Sequence, residues 1–208
     1  MIKGVIFDMD GVLADTEHYY QVRRDDFLDR MDFPGPRGLN LIGSNEKAIW
    51  ETLVPEDPVL REEMMMGYRA YRKIHPTSYK NLVDPVVKPL FEELKGRGLK
   101  IGVASSSPWQ SIEEMFAAAE ITGMPDFAIS GATCKAHKPD PEIYLRALEA
   151  LDLRPEEAVA IEDSPTGIQA AINAGIRIYA LRPRHGEFID QSAAYKILAR
   201  LDDILQEL

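Results

Sequence analysis

Four carboxylates at the ends of two apolar segments have the chemistry of a divalent-metal site. Asp8 and Asp10 follow the first apolar segment of the chain, and Glu162 and Asp163 follow a later one. Two carboxylates about 4 Å apart repel by about 4 kcal/mol at an effective dielectric constant of about 20, so four of them at one place require a cation. All the candidate ligands are oxygens, without His or Cys, which favours Mg²⁺. The sequence therefore predicts that Asp8, Asp10, Glu162 and Asp163 bind Mg²⁺.

Hydroxyl and ammonium groups elsewhere in the chain could bind a phosphate beside that cation. Ser105 and Ser106 follow a third apolar segment, and Lys138 precedes a helix that begins with a proline. A compact ammonium group, serine hydroxyls, backbone N–H groups and a magnesium ion together suit a phosphate dianion. We therefore predict that Ser105, Ser106 and Lys138 bind the phosphate of a small phosphorylated metabolite.

The spacing of the first two acids favours phosphoryl transfer. A carboxylate can attack phosphorus to form an aspartyl-phosphate, and a second carboxyl group nearby can protonate the leaving oxygen and then activate water. Asp8 is the predicted nucleophile, and Asp10 is the predicted acid and base. Lys138 and the metal ion would neutralise charge on the phosphoryl oxygens in the transition state.

Alternating strand and helix patterns predict the elements that position these groups. Short apolar segments rich in β-branched residues alternate with segments whose apolar residues recur every three or four positions. This alternation indicates β-α-β units, a parallel sheet with helices on both faces, and hence an α/β fold. Ligands bind such sheets at the carboxyl ends of the strands, where the polar residues above fall. The predicted strands are Gly4–Phe7, Ile101–Ala104, Phe127–Ile129, Ala158–Ile161 and Ile178–Leu181.

Several of the predicted helices begin with a proline that follows a capping side chain. Ser107 and Ser164 each place a hydroxyl oxygen directly before such a proline. A side-chain oxygen at that position accepts hydrogen bonds from the first backbone N–H groups of a helix. Ser107 is therefore interpreted as a helix cap only.

Residues 15–84 interrupt the alternation and predict a helical insertion. Two amphipathic helical patterns occur there without a convincing strand. We therefore predict a core domain of residues 1–14 and 85–208, and a helical domain of residues 15–84. The apolar positions of the two patterns are Tyr20, Phe27, Leu28 and Met31, and Leu60, Met64, Tyr68 and Tyr71.

Composition narrows the class of protein. The 208 residues include 45% hydrophobic residues, enough for a sizeable core. The 24 Lys and Arg minus the 34 Asp and Glu give a net charge of −10, which argues against partners such as nucleic acid or an anionic membrane. A single cysteine and the lack of a signal-peptide pattern predict a cytoplasmic location. We expect a monomer.

Four segments, in this order along the chain, resemble the haloacid dehalogenase superfamily, in its branch of β-phosphoglucomutase-like phosphatases. The resemblance covers the whole chain, and its four ordered motifs are far more specific than one Asp-x-Asp pair. The segments are Asp8–Thr16 (DMDGVLADT), Val103–Ser107 (VASSS), Lys138–Tyr144 (KPDPEIY) and Ile161–Ile168 (IEDSPTGI).

The resemblance implies a Rossmann-like core with a helical cap domain and an Mg²⁺-dependent reaction. It implies that the Asp8 side chain, the Asp10 backbone carbonyl and Asp163 hold the metal, with Glu162 either ligating it directly or supporting a ligand. It also implies that Ser105 and Lys138 hold the phosphate.

The expected activity is hydrolysis of small phosphomonoesters such as sugar or polyol phosphates. The main alternative is a phosphohexose isomerase of the β-phosphoglucomutase type. The chain has Tyr20 and Ile42 where such mutases have a histidine and a basic residue, and no arginine among residues 44–46 to hold a second phosphate. These departures favour hydrolysis. A non-catalytic binding protein and a phosphoacceptor signalling domain are further alternatives, and the acid at Asp10 argues against the latter.

Substrate selection is expected to depend on residues of the insertion. Four polar or aromatic side chains are candidates for lining the pocket: three in the insertion, Tyr20, Asn45 and Trp50, and Trp109, which follows the serine segment of the core domain.

Overall fold

A computed structural model describes residues 1–39, 41, 42, 44, 46–186 and 188–208. Two positions that the sequence patterns single out lie outside these ranges. One is Asn45, a candidate for the substrate pocket. The other is Gly43, which follows Ile42, the residue that stands where the mutases have a basic residue.

The described residues form a six-stranded parallel sheet with the strand order β3-β2-β1-β4-β5-β6. The strands are β1 (Gly4–Phe7), β2 (Lys100–Ser105), β3 (Phe127–Ser130), β4 (Ala158–Glu162), β5 (Arg177–Leu181) and β6 (Lys196–Leu198). The helices are α1 (Thr16–Arg30), α2 (Glu46–Leu53), α3 (Pro58–Ile74), α4 (Val87–Gly96), α5 (Trp109–Ala118), α6 (Glu142–Ala150) and α7 (Pro165–Asn173). The predicted α/β class, with a Rossmann-like parallel sheet, is confirmed.

Both faces of the sheet are covered, which explains why its strands are almost continuously apolar. In β1, Val5 and Phe7 pack into one buried cluster, and Ile6 packs into another on the opposite face. Helices α4 and α5 contribute to the first cluster, and α6 and α7 contribute to the second. Because β1 lies at the centre of the sheet, its end is held from both sides.

The predicted strands are all present, and the prediction that Ser164 caps a helix is also confirmed. Its side chain accepts a hydrogen bond from the Gly167 backbone N–H at the start of α7. Two short elements, α2 and β6, were not predicted. β6 has three residues, of which two are exposed, so it lacks the apolar signal of the other strands.

The chain divides into two compact units, one formed by Met1–Asp15 with Tyr79–Leu208 and the other by Thr16–Ser78. The second boundary therefore differs from the predicted one, at residue 84. Tyr79 is buried in the core cluster of the first unit, and Val83 forms a β-bridge with Ala14. These contacts bind residues 79–84 to the sheet-containing unit.

The second unit is helical and has a core of its own. Phe27 of α1 packs edge-to-face on Trp50 of α2, and both rings contact Tyr68 of α3. Trp50, a candidate for lining the pocket, is thus a core residue with 1% exposure. No helix among the described residues combines the length and apolar character needed to cross a membrane.

Candidate active site

The candidate site lies where the chain order of the strands reverses. Strand β1 pairs with β2 on one side and with β4 on the other, and the chain continues outward to β3 and to β6. Such a reversal leaves a crevice at the carboxyl ends of the strands. Asp8 follows β1 here, and its backbone N–H bonds the carbonyl of Ile161 in β4 at 2.9 Å. This pairing places Asp8 beside the end of β4, where Glu162 and Asp163 lie.

Three of the predicted carboxylates form a buried cluster. Asp8, Glu162 and Asp163 each have a carboxylate oxygen within 4.8 Å of the others. Their exposures are 6%, 1% and 7%, so water screens their mutual repulsion poorly. Lys138 forms ion pairs with two of them, with Nζ 2.6 Å from Asp8 Oδ1 and 2.5 Å from Glu162 Oε1. Its ammonium also donates to the Ala104 carbonyl at the end of β2.

These surroundings shift the pKa values of both partners. Burial raises the pKa of Asp8 well above its ordinary value, Lys138 opposes that rise, and the charges of Glu162 and Asp10 add to it. Burial works against the charged form of Lys138, but the attraction of Asp8 and Glu162 is stronger and raises the lysine pKa well above its ordinary value. Lys138 therefore remains an ammonium at the pH of a cell.

The two oxygens of Glu162 are held by donors of the protein. Oε1 accepts hydrogen bonds from Lys138 and from the Tyr144 hydroxyl at 2.8 Å. Oε2 accepts from the Ser164 hydroxyl and the Asp163 backbone N–H, both at 3.2 Å. By contrast, Asp8 Oδ2 has no hydrogen-bond partner among the described residues. Glu162 thus fits the role of fixing Lys138 better than that of ligating a metal.

Asp10 faces the serine segment after β2. Its Oδ2 accepts hydrogen bonds from the Ser107 hydroxyl at 2.6 Å and, at 3.4 Å, from the hydroxyl of Ser105. The Ser105 oxygen also accepts from the Ser107 backbone N–H. Ser105 is fully buried, whereas Ser106 is exposed.

The interpretation of Ser107 as a helix cap was wrong. In the described structure α5 is capped by Pro108, without a side-chain hydrogen bond to its first turn. The Ser107 hydroxyl instead binds Asp10. Because α5 begins at Trp109 with Pro108 at its cap position, Ser107 lies one residue before the cap, and its hydroxyl is oriented by donating to the Asp10 carboxylate.

The cluster fits a divalent cation. When ionised, Asp8, Glu162 and Asp163 carry three negative charges against one positive charge on Lys138, a formal balance of −2. A divalent cation would cancel that balance, and an all-oxygen donor set suits Mg²⁺. Of the three, Asp8 and Asp163 are the side chains that could hold it without giving up the hydrogen bonds that fix Glu162.

Gly11 leaves the space that Asp163 occupies. Its φ of +79° is in the left-handed region, and a Cβ there would lie 1.9 Å from Asp163 Oδ2. We expect Gly11→Ala to displace the Asp163 carboxylate and to weaken activation by Mg²⁺ by about 10–100-fold. The measurement is the Mg²⁺ concentration that gives half-maximal phosphate release.

The matched control for that substitution is Gly98→Ala. Gly98 has a φ of +74°, but a Cβ there meets no atom within 4 Å. Both variants carry the same backbone cost, about 1–2 kcal/mol, so only Gly11→Ala should change the metal requirement. Equal Mg²⁺ requirements in the two variants would contradict the placement of Asp163.

Comparison with known proteins agrees with this arrangement. A family model of haloacid dehalogenase-like hydrolases matches residues 5–181. The chain belongs to this family. The family and the enzyme class of hydrolase predicted from the sequence are thus confirmed.

A phosphorylated carbohydrates phosphatase of Thermotoga maritima is 32% identical over 187 residues, 86% of this chain and 85% of that protein. A β-phosphoglucomutase of Bacillus subtilis is 30% identical over 185 residues, 84% and 81% of the two chains.

Solved structures show the same fold. A haloacid dehalogenase-like hydrolase from Bacteroides fragilis aligns over 98% of this chain and all of its own, with a TM-score of 0.83 and 23% identity. A structure from Thermotoga maritima assigned as a β-phosphoglucomutase aligns over the whole of both chains, with a TM-score of 0.72 and 28% identity. The similarity therefore extends over both the sheet and the helical insertion.

Two buried side chains of the site were not predicted as site residues. Tyr144 is fully buried and donates to Glu162, although it lies within one of the quoted motifs. Gln191 is 4% exposed and donates from Nε2 to the backbone carbonyls of Asp163 (2.7 Å) and Leu181 (2.8 Å). A glutamine 28 residues beyond Asp163 has no local signal that would reveal this contact.

Proposed function

We propose that this chain is a Mg²⁺-dependent phosphatase that hydrolyses small phosphomonoesters, sugar or polyol phosphates in the first place, through an aspartyl-phosphate on Asp8. The observation that carries the proposal is the arrangement of Asp8. One of its oxygens is held by Lys138 at 2.6 Å, and the other has no hydrogen-bond partner among the described residues. A buried carboxylate oriented through one oxygen has the other available to attack phosphorus.

The proposed reaction has two balanced steps. In the first, a bond forms between an Asp8 oxygen and phosphorus while the bond to the ester oxygen breaks, and Asp10 donates a proton to that leaving oxygen. In the second, Asp10 takes a proton from water as the water oxygen attacks phosphorus, and the bond from Asp8 to phosphorus breaks. Phosphate is released, and both carboxyl groups return to their initial states.

Other side chains hold the reacting groups. Ser107 and Ser105 orient Asp10 through its Oδ2, and Lys138 neutralises oxygens of the phosphoryl group. A bound Mg²⁺ would withdraw charge from the phosphoryl group, and Asp8, Asp163 and the predicted Asp10 carbonyl would hold it. Ser106, which is exposed, stays a predicted phosphate contact through its backbone or hydroxyl.

The test is phosphate release from a panel of sugar, polyol, nucleotide and glycolate phosphates. We expect release from the sugar or polyol members, its loss when EDTA removes Mg²⁺, and a decrease in kcat of at least about 100-fold in Asp10→Asn. Release that persists equally without the metal and in Asp10→Asn would refute the proposal.

The relatives support both the substrate class and one alternative. One is named a phosphatase of phosphorylated carbohydrates and another a β-phosphoglucomutase. Conversion of β-glucose 1-phosphate to glucose 6-phosphate, without free phosphate, would favour the isomerase. The cytoplasmic location and the monomeric state stay predictions.

A further inference from the structure

Gln191 is a buried polar side chain in the segment that follows β5. It is 4% exposed, whereas its neighbours Asp190 and Ser192 are both exposed. Glutamine is mostly found at the surface of proteins, and burial of its amide is costly unless the amide forms hydrogen bonds. The burial of this one side chain therefore points to specific partners inside the sheet-containing unit.

The amide of Gln191 joins the carboxyl ends of β4 and β5. The two strands pair in register up to Glu162 and Ala180. The next two residues are Asp163 and Leu181, and Gln191 Nε2 donates to the backbone carbonyls of both, at 2.7 Å and 2.8 Å. One side-chain amide thus bridges the two strands where their pairing ends.

This contact fixes the backbone of Asp163 on both sides of its side chain. The Asp163 N–H donates to Glu162 Oε2 at 3.2 Å, and its carbonyl accepts from Gln191. The following residue, Ser164, caps α7. With both neighbouring peptide groups held, the direction of the Asp163 carboxylate depends only on the torsion angles of its own side chain. That carboxylate lies in the space left by Gly11.

We propose that Gln191 is a positioning residue for Mg²⁺ binding, which acts through the backbone of Asp163. The inference rests on the metal site of the proposed phosphatase. A ligand whose backbone is already fixed loses less conformational freedom when it binds a metal, and groups that orient metal ligands contribute about 10–100-fold to metal affinity. Gln191 contacts the carbonyl of Asp163 and not its carboxylate, so we expect an effect of about tenfold.

The alternative is a purely structural role, in which Gln191 only satisfies two buried carbonyls. Gln191→Met keeps the length of the side chain and removes both donors, so either role predicts a lower Tm. Only the positioning role predicts weaker binding of Mg²⁺. Metal affinity and stability therefore have to be measured separately.

Lys100→Met is the matched control. Lys100 is the first residue of β2, at the opposite end of the sheet from the site, and its Nζ donates to the Leu151 carbonyl. This substitution also replaces a side-chain N–H donor to a backbone carbonyl by methionine. It should lower Tm without changing the binding of Mg²⁺.

Melting curves without substrate measure both quantities. MgCl₂ is varied while the ionic strength is held constant with NaCl, and Mg²⁺ should raise the Tm of wild type and of Lys100→Met because it binds the folded state. In Gln191→Met, a given rise should require about tenfold more Mg²⁺. At one concentration far above both dissociation constants, the rise should be smaller than that of wild type by about 3–6 °C.

Gln191→Asn keeps the comparison available if Gln191→Met does not fold. It has the same amide on a side chain one carbon shorter, which cannot reach both carbonyls, so it should also weaken Mg²⁺ binding. In the assay of phosphate release, the Mg²⁺ concentration for half-maximal activity should rise about tenfold in Gln191→Met. Its kcat at saturating Mg²⁺ should stay within about threefold of wild type.

The same Mg²⁺ dependence of Tm in both Gln191 variants and in Lys100→Met would overturn the positioning role. The absence of any Mg²⁺ effect on the Tm of wild type would overturn it as well, together with the metal site. Failure of the phosphatase proposal alone is distinguishable from both, because it would appear as no phosphate release while Mg²⁺ still raises the Tm of wild type.

Discussion

Asp8→Asn is expected to reduce phosphate release by at least about 10⁴-fold, because the amide cannot form the covalent intermediate. The fold should survive the change. Lys138 keeps its ion pair with Glu162 at 2.5 Å, and asparagine has nearly the size of aspartate. Comparison of kcat with wild type, together with a melting curve, separates loss of chemistry from loss of structure.

The control for this prediction is Asp152→Asn, an aspartate-to-asparagine change outside the site. Asp152 is exposed and has a φ of +50°, a backbone conformation that asparagine also adopts readily. It should retain wild-type kcat. An Asp8→Asn protein that turns over substrate at the rate of Asp152→Asn would exclude Asp8 as the nucleophile.

Lys138→Met is expected to have the second largest effect, on stability as well as on activity. The ammonium is the shared partner of two buried carboxylates, and its side chain is only 7% exposed. Removing one member of a buried ion pair costs about 3–5 kcal/mol, which for a chain of this size lowers Tm by about 10 °C. Phosphate release should fall by at least about 100-fold.

The loss of stability in Lys138→Met should grow with pH. Burial already raises the pKa of Asp8, and Lys138 is the main influence that opposes the rise. A carboxyl group whose pKa is raised by folding stabilises the protein fully at low pH and loses that contribution as the pH rises through its folded-state pKa. Without the lysine, the pKa of Asp8 in the folded state is higher still. The difference in the free energy of unfolding between wild type and Lys138→Met should therefore grow as the pH rises from acidic to neutral.

A second substitution supplies the control for Lys138→Met. Glu162→Gln removes one of the two uncompensated charges, so the double variant should be more stable than Lys138→Met alone. Melting curves of the wild type, both single variants and the double variant give the coupling between the two side chains. Strictly additive Tm changes would contradict the ion pair.

Much of the fold follows from local sequence signals. Gly4–Phe7 and Ala158–Ile161 are continuous apolar segments because both faces of the sheet are covered, so their pattern alone identifies buried parallel strands. The three-residue strand β6 depends on pairing with β5 rather than on its own pattern, which explains why it was not predicted.

The candidate site is only partly readable from the sequence. The positions of Asp8, Glu162 and Asp163 follow from the rule that parallel strands gather ligands at their carboxyl ends. The hydrogen bond from Ser107 to Asp10 could not be predicted in this way, because it joins residues 97 positions apart.

The most direct test of the central claim is a search for phosphate bound covalently to Asp8. Asp10→Asn, which should slow attack by water, is mixed with an aryl phosphate that needs no protonated leaving group, quenched in acid within the first turnover, and digested for mass spectrometry. We predict a peptide containing Asp8 that is heavier by one phosphoryl group, and its absence when the same protein also carries Asp8→Asn. Turnover without any phosphorylated peptide, or with the group on another residue, would contradict the mechanism.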